Sequence, residues 1–364
     1  MRRLVPLLAG VALLSAVGEA RAIEPYVEAG RLYGAGFYFV PGTDIAIGVG
    51  GGAQLFDLPG TDFTFYANSE GEAVRRQRNN DLDEYGGVGT LTVVAPFVQW
   101  QGAPVSVAVS SFFSEVSHSN RTRCASNDRL DCAFSDIVDE GHLFTAEKFT
   151  TKTDREANFW GVDAELRFGS PLRPAASPQL FRFSYVGIGA DLRGLDQDNF
   201  LRIRSDLGGV DTDYREKLDT TYAGAFVSIG GEYDVLGYLG GIGSGWGLRS
   251  AATLRFGVYN ADTDYRGSFT PLEGDTTTRL NLSEDEVAFI GAANFETTKR
   301  LGRRTSLSLV TNYEFYSYIP QVRYADGTNP TRLDDDDGWQ IRTTLRLNVL
   351  LGGDCPECDC PECY

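Results

Sequence analysis

The chain has 364 residues, carries 50 acidic against 33 basic side chains for a net charge of −17, and contains 42 Gly, 22 Phe and 17 Tyr but one Met. That balance excludes nucleic acid as a partner, because phosphates need a positive surface. Sparse helix formers, with aromatic and β-branched residues filling the patterned segments, exclude a helical bundle and point to an all-β class.

The first segment pairs Arg2 and Arg3 with an apolar run from Leu4 to Val17 and an Ala20-Arg21-Ala22 site. These are the three parts of a secretory signal peptide, with cleavage expected after Ala22. Removing 1–22 takes away three Arg and one Glu and leaves 30 basic and 49 acidic residues, a net charge of −19. No later apolar run reaches the ~18 residues of a spanning helix, so a membrane protein of this sequence must cross with strands.

From Asp44 onward, apolar residues recur at every second position, the period of a strand with two unlike faces. Ile45, Ile47, Val49 and Leu55 mark the first run, and Leu91, Val93, Ala95 and Phe97 the next. A short link, Gln99 to Pro104, leads into Val105, Val107, Val109 and Phe113, which reads as a hairpin. After a long polar stretch, Ser117 to Arg155, come Trp160, Val162, Ala164, Leu166 and Phe168, opposed to Asp163, Glu165 and Arg167. Three charges in a row on one strand face need water beneath them. Phe181, Phe183 and Tyr185 then oppose Arg182 and Ser184, and a polar loop is expected from Gly194 to Leu218.

The same rule continues in Ala223 to Ile229, in Leu254, Phe256 and Val258 opposed to Arg249 and Arg255, and in Val287 to Phe295. Leu307, Leu309, Tyr313 and Phe315 oppose Asn312 and Glu314. The last run is the most regular, with Trp339, Ile341, Thr343, Leu345, Leu347 and Val349 alternating with Gln340, Arg342, Thr344, Arg346 and Asn348. Segments of about ten residues, joined alternately by long polar loops and short turns, are the layout of an outer-membrane barrel. The expectation is a transmembrane antiparallel β-barrel over 23–353 with about twelve strands, in a range of ten to sixteen, followed by a Cys-rich tail over 354–364.

Tyr33-Gly34-Ala35-Gly36-Phe37-Tyr38-Phe39-Val40-Pro41-Gly42-Thr43-Asp44, running on to Gly48, resembles the opening of the alpha-proteobacterial porin family. The resemblance implies a general diffusion pore, sixteen-stranded and a homotrimer. The cysteines which that family carries around this segment align with Gly30 and Ala46 here, consistent with a dispensable disulfide. Read without the resemblance, Pro41-Gly42 is turn chemistry and the segment is a hairpin or a barrel-closing strand.

If the apolar face meets lipid, Asp163, Glu165, Arg167, Arg182, Arg249, Arg255, Glu314, Arg342 and Arg346 point inward as candidate pore-lining residues. Rings of charge set pore selectivity, whereas in a narrow barrel the same charges pair and fill the interior. Cys124 and Cys132 are expected to form a disulfide in an oxidising compartment. Cys355, Cys358, Cys360 and Cys363 form two C-x-x-C units able to present four thiolates to a soft metal, with disulfides as the competing state. His118 and His142 are the only histidines, and neither a G-x-S-x-G elbow nor an H-E-x-x-H motif accompanies them. His118 can be drawn with Ser114 or Asp136, but a lone loop histidine is ordinarily just solvated, so no catalysis and no cofactor is expected. The Asp334 to Asp337 run is a solvated loop or a place for surface cations.

The functional expectation is a channel in the outer membrane for passive diffusion of small hydrophilic solutes or ions, embedded among lipid and lipopolysaccharide. The alternative is a non-conducting barrel that binds or anchors through its loops and through a periplasmic partner of the tail.

Overall fold

The computed structural model describes residues 32–34, 37–39, 45–60, 64–67, 73–77, 82–100, 103–126, 130–135, 143–169, 181–205, 211–233, 248–271, 277–302, 304–325 and 329–351. The expected signal peptide and the Cys355 to Cys363 tail lie outside these residues. In chain order the strands are β1 (Leu32–Gly34), β2 (Phe37–Phe39), β3 (Ile45–Leu58), β4 (Thr64–Ala67), β5 (Ala73–Gln77), β6 (Leu82–Trp100), β7 (Ala103–Ala125) and β8 (Asp131–Ser135). They continue with β9 (Leu143–Ala146), β10 (Lys148–Gly169), β11 (Phe181–Ser205), β12 (Thr212–Tyr233), β13 (Leu248–Pro271), β14 (Thr278–Arg300), β15 (Thr305–Arg323) and β16 (Arg332–Leu351).

Ten of these close a ring in the order β3-β6-β7-β10-β11-β12-β13-β14-β15-β16, with β16 returning to β3. Every neighbouring pair is antiparallel; the closing pair runs from Trp339 opposite Asp57 to Leu351 opposite Ile45. Ten is the lower end of the expected range and short of twelve, because β1 and β2 pair with each other, Tyr33 opposite Tyr38, and add nothing to the ring. Closure leaves no sheet edge at membrane depth, which is the condition for strands to cross lipid.

The outward face carries a continuous apolar belt. Val162, Leu166, Val186, Ile188, Val227, Phe256, Val258, Phe289, Leu309 and Leu345 are all exposed on it. A band of this extent on the outside of a closed barrel is a lipid surface, since water-soluble monomers do not carry one. Trp160 and Phe168 bracket the belt on β10, and Trp339 on β16 stacks on Tyr313 of β15 with 6.3 Å between centroids. The protein is therefore a transmembrane antiparallel β-barrel of outer-membrane type.

The long polar stretches turn out to be mostly strand. The expected loop Ser117 to Arg155 is strand as far as Ala125 and again from Lys148, and the expected loop Gly194 to Leu218 is strand as far as Ser205 and again from Thr212. Above the belt the barrel wall faces water outside, so the apolar half of the alternation disappears while the ladder of hydrogen bonds continues. The lipid-facing parity also breaks on β11. A β-bulge between Phe183 and Tyr185 inserts a residue into β11, so Tyr185, expected on the lipid face, turns inward and is buried.

The two longest upper connections build a second, smaller sheet in the order β5-β4-β8-β9. Cys124 at the top of β7 is disulfide-bonded to Cys132 in β8, tying this sheet to the wall. Ala67, Ala133 and Phe134 of the sheet share one buried cluster with Phe149 of β10, Leu201 and Ile203 of β11, Tyr214 of β12 and Phe269 of β13. The sheet thus packs on the inner faces of four strand tops and covers the outer mouth.

Candidate functional site

Of the nine residues expected to line a pore, seven project into the barrel interior and meet there. Glu165 accepts from Arg167 Nε at 2.8 Å and from the Ser228 hydroxyl. Arg255 reaches Asp163 at 3.3 Å and Asp191 at 3.1 Å. Glu314 accepts from Arg342 Nη2 at 2.6 Å, and Arg346 Nη2 donates to Glu296 at 2.6 Å. The side chains of Arg182 and Arg249 lie outside the described residues.

The hub of this network is Arg193 of β11. Its Nε donates to Asp191 at 2.7 Å, and its Nη1 donates to Glu314 at 2.7 Å and to the Tyr316 hydroxyl at 2.7 Å. Tyr316 donates in turn to Glu314 at 2.6 Å, and Tyr259 to Asp191 at 2.9 Å. Arg193 is 1% and Glu314 2% exposed. Charges so deeply removed from water persist because each is paired and hydrogen-bonded on several sides.

Directly above, aromatic rings from separate walls meet. Phe56 of β3 lies 5.5 Å from Phe159 of β10 and 6.1 Å from Tyr316 of β15, and Phe159 meets Tyr316 edge-to-face at 5.9 Å. Tyr222 of β12 joins Tyr316 at 6.1 Å, and Phe112 of β7 joins Phe159 at 5.0 Å. Val116, Leu195, Ile290 and Ile319 complete a buried layer across the lumen. The Arg342 guanidinium stacks under Phe112, 3.8 Å from its centroid, so the charged layer is roofed by the aromatic one.

Below this roof lies a polar cavity of about 150 Å³, lined by Asp163, Glu165, Arg167, Arg255, Glu314 and Arg346 among others. Thr90 Oγ1, Arg167 Nη1, Arg255 Nε and Asn312 Oδ1 line it without a protein hydrogen-bond partner. The cavity therefore has the donors and acceptors to suit water or a small polar solute.

Above the aromatic layer, outside the membrane-spanning part, is a second polar group. Arg155 of β10 donates to Asn199 at 3.0 Å, to Glu84 at 3.2 Å and to the Pro59 carbonyl at 2.7 Å. Glu216 of β12 accepts from Tyr265 at 2.9 Å and from Tyr324 at 2.5 Å. Burial pushes the Glu216 carboxyl up to about 7, against the opposing pull of the two tyrosine hydroxyls and of Arg155.

Asp191, Arg193 and Glu296 escaped the sequence reading. Their signal was present: Asp191 and Arg193 continue the inward parity of Tyr185, and Glu296 that of Ala292 and Asn294. What hid the first two was the loop expected from Gly194 and the bulge at Phe183. The pairing of His118 with Ser114 does not form. Both lie on β7 four residues apart, roughly 13 Å along a strand, and the Ser114 hydroxyl donates to the Phe159 carbonyl at 3.1 Å. Asp136 lies outside the described residues.

No protein-family model and no curated protein sequence matches the chain. Among solved structures it is similar to the outer membrane protease OmpT of Escherichia coli, at 9% identity over 85% of this chain and 97% of that one, with a TM-score of 0.42. It is also similar to a Pseudomonas aeruginosa FadL homologue, at 8% identity over 85% and 91% and a TM-score of 0.23. A third is the P. putida toluene transporter TodX, at 8% identity over 86% and 91% and a TM-score of 0.17.

Proposed function

We propose that this protein is a closed outer-membrane barrel that works through its outer half, as a surface-binding protein, rather than by letting solutes diffuse through it. The observation that carries this reading is the aromatic layer: Phe56, Phe159, Tyr222 and Tyr316 come from separate walls and touch in the middle. A passage for hydrated solutes needs a water-filled lumen, and here the same cross-section is a packed core. The ion pairs beneath it and the disulfide-tied sheet above it support the same reading, as does a wall that extends well beyond the belt. No catalytic step and no cofactor is part of it.

A pore remains the second reading, and the 150 Å³ cavity below the layer favours it. Conduction then requires the layer to move aside. Single-channel recording of the refolded protein, freed of residues 1–22, in a planar bilayer decides between the two. The closed barrel gives no steady current. Steady conductance whose ion selectivity turns toward cations after Arg342→Glu and Arg346→Glu overturns the proposal and restores the diffusion pore.

A further inference from the structure

Six of the ten seams of the barrel wall are laced far above the belt. β13 and β14 pair from Lys299 opposite Leu248 up to Thr278 opposite Phe269, and β15 and β16 pair up to Arg323 opposite Arg332. The seams β16–β3, β3–β6 and β6–β7 stop lower, at Trp339 opposite Asp57, Leu58 opposite Leu82 and Tyr85 opposite Ser117, and the seam between β14 and β15 stops there too. Its last pair is Ile290 opposite Tyr316. Beyond that point β14 runs on for twelve residues, 278–289, and among the described residues β13 is the one strand paired with it there, while β15 is bent away by a bulge after Tyr316 that buries Tyr318 and Ile319 inside the barrel. A hydrogen bond from the Phe289 amide to Ser317 Oγ at 2.8 Å closes the base of the split.

An unpaired strand edge presents a row of main-chain donors and acceptors, and this is the template on which an extended segment adds as a further strand. The side chains around the split say which segment. Glu284, Asp285 and Glu286 stand in succession on the open edge. Asp262 of β13 is directly opposite Asp285. Across the split, Asp334 and Asp335 of β16 act on Glu284, whose carboxyl is held above its usual range by partial burial first and then by Glu286, Asp335 and Asp334. Arg323 is already engaged with Asp334.

We infer that the open edge of β14 is a docking site for an extended, cationic peptide segment of another protein, which pairs with the backbone of 278–289 and sets its alternate Lys or Arg side chains against Glu284 and Glu286, which share one face of the strand. This rests on the proposal that the outer half of the barrel is the working part, and it names the partner class. A second copy of the chain is the wrong occupant. Copies in one membrane run their strands in the same direction, so edge pairing would place each acid level with its own counterpart, and like charges directly opposite destabilise a ladder.

The test uses the refolded barrel in detergent micelles and three fluorescent ten-residue peptides. One alternates Lys with Val and Thr; the second replaces Lys by Glu; the third keeps Lys but is N-methylated on alternate residues, so that charge remains and strand pairing is blocked. Anisotropy titrations report affinity, and amide hydrogen exchange reports where the peptide sits. The Lys peptide should bind at least tenfold more tightly than either control, protect amides within 278–289, and lose tenfold or more against a Glu284→Lys, Glu286→Lys barrel. Equal binding of the N-methylated peptide, protection elsewhere, or no binding at all overturns the inference. A barrel that conducts yet binds the Lys peptide at β14 would overturn the closed-barrel reading and keep this site. A silent barrel that ignores the peptide would do the reverse.

Discussion

The rings of Phe159 and Tyr316 meet edge-to-face with 5.9 Å between centroids, although β10 and β15 stand five places apart in a ring of ten. They touch because a barrel of this size has an interior that side chains alone can fill. Shortening the rings should therefore open it. The double variant Phe56→Ala, Phe159→Ala is expected to conduct steadily in a planar bilayer where the parent is silent. Each truncation should cost about 3–5 kcal/mol, the usual range for removing a buried ring. A folded but silent double variant would mean that the upper sheet alone seals the barrel.

Arg193 is predicted to be the most sensitive lumen position. Arg193→Met leaves Asp191 and Glu314 buried with one cation fewer, and breaking such a pair from one side costs about 3–5 kcal/mol. Adding Asp191→Asn and Glu314→Gln to Arg193→Met removes the stranded charges and should return a large part of the loss. Urea titration of the micelle-bound barrel, followed by tyrosine fluorescence, measures both. If the triple variant is no more stable than Arg193→Met, the hub acts by packing rather than by charge.

Glu216 makes the outer half pH-dependent. Its folded pKa, about 7, lies above the ordinary carboxylate value of 4.5, so between these pH values the folded state holds a proton that the unfolded chain has released. Stability is greatest below pH about 4.5, falls as pH rises to about 7, and stays at the lower level above that. At ~1.4 kcal/mol per unit the fall amounts to roughly 3 kcal/mol. Glu216→Gln should remove this slope and raise the melting point at pH 8, read by near-ultraviolet circular dichroism of the tyrosines. An unchanged slope would place the titration elsewhere.

Replacing both Cys124 and Cys132 by Ser should loosen the upper sheet and leave the barrel standing. The bond joins residues eight apart, and closing so short a loop contributes about 2.5 kcal/mol on the chain-entropy estimate. Limited proteolysis should then cut the segment between Cys124 and Lys148, while the heat-modified gel mobility typical of a folded barrel persists. Loss of that mobility would show that the sheet is needed for the barrel itself.

The sequence by itself determined the class of fold, and did so through Trp339 to Val349. Period-2 alternation over about ten residues, repeated down the chain, puts one set of side chains on lipid and the other inside, and closure follows because an open edge is not tolerated in hydrocarbon. The inward direction of Asp163, Glu165, Arg167, Arg255, Glu314, Arg342 and Arg346 was legible from the same parity. Their meaning was not. Whether Arg342 faces a water column or the 3.8 Å stack with Phe112 depends on how wide the ring closes, and ten strands rather than sixteen bring opposite walls into contact. The height of the wall was equally hidden, because above the belt both faces of a strand become polar and resemble a loop. The bulge at Phe183, the seam left open above Ile290 and the partners of Arg193 all depend on register between strands far apart in sequence. Local pattern carries no information about that register; side chains meeting across the lumen set it.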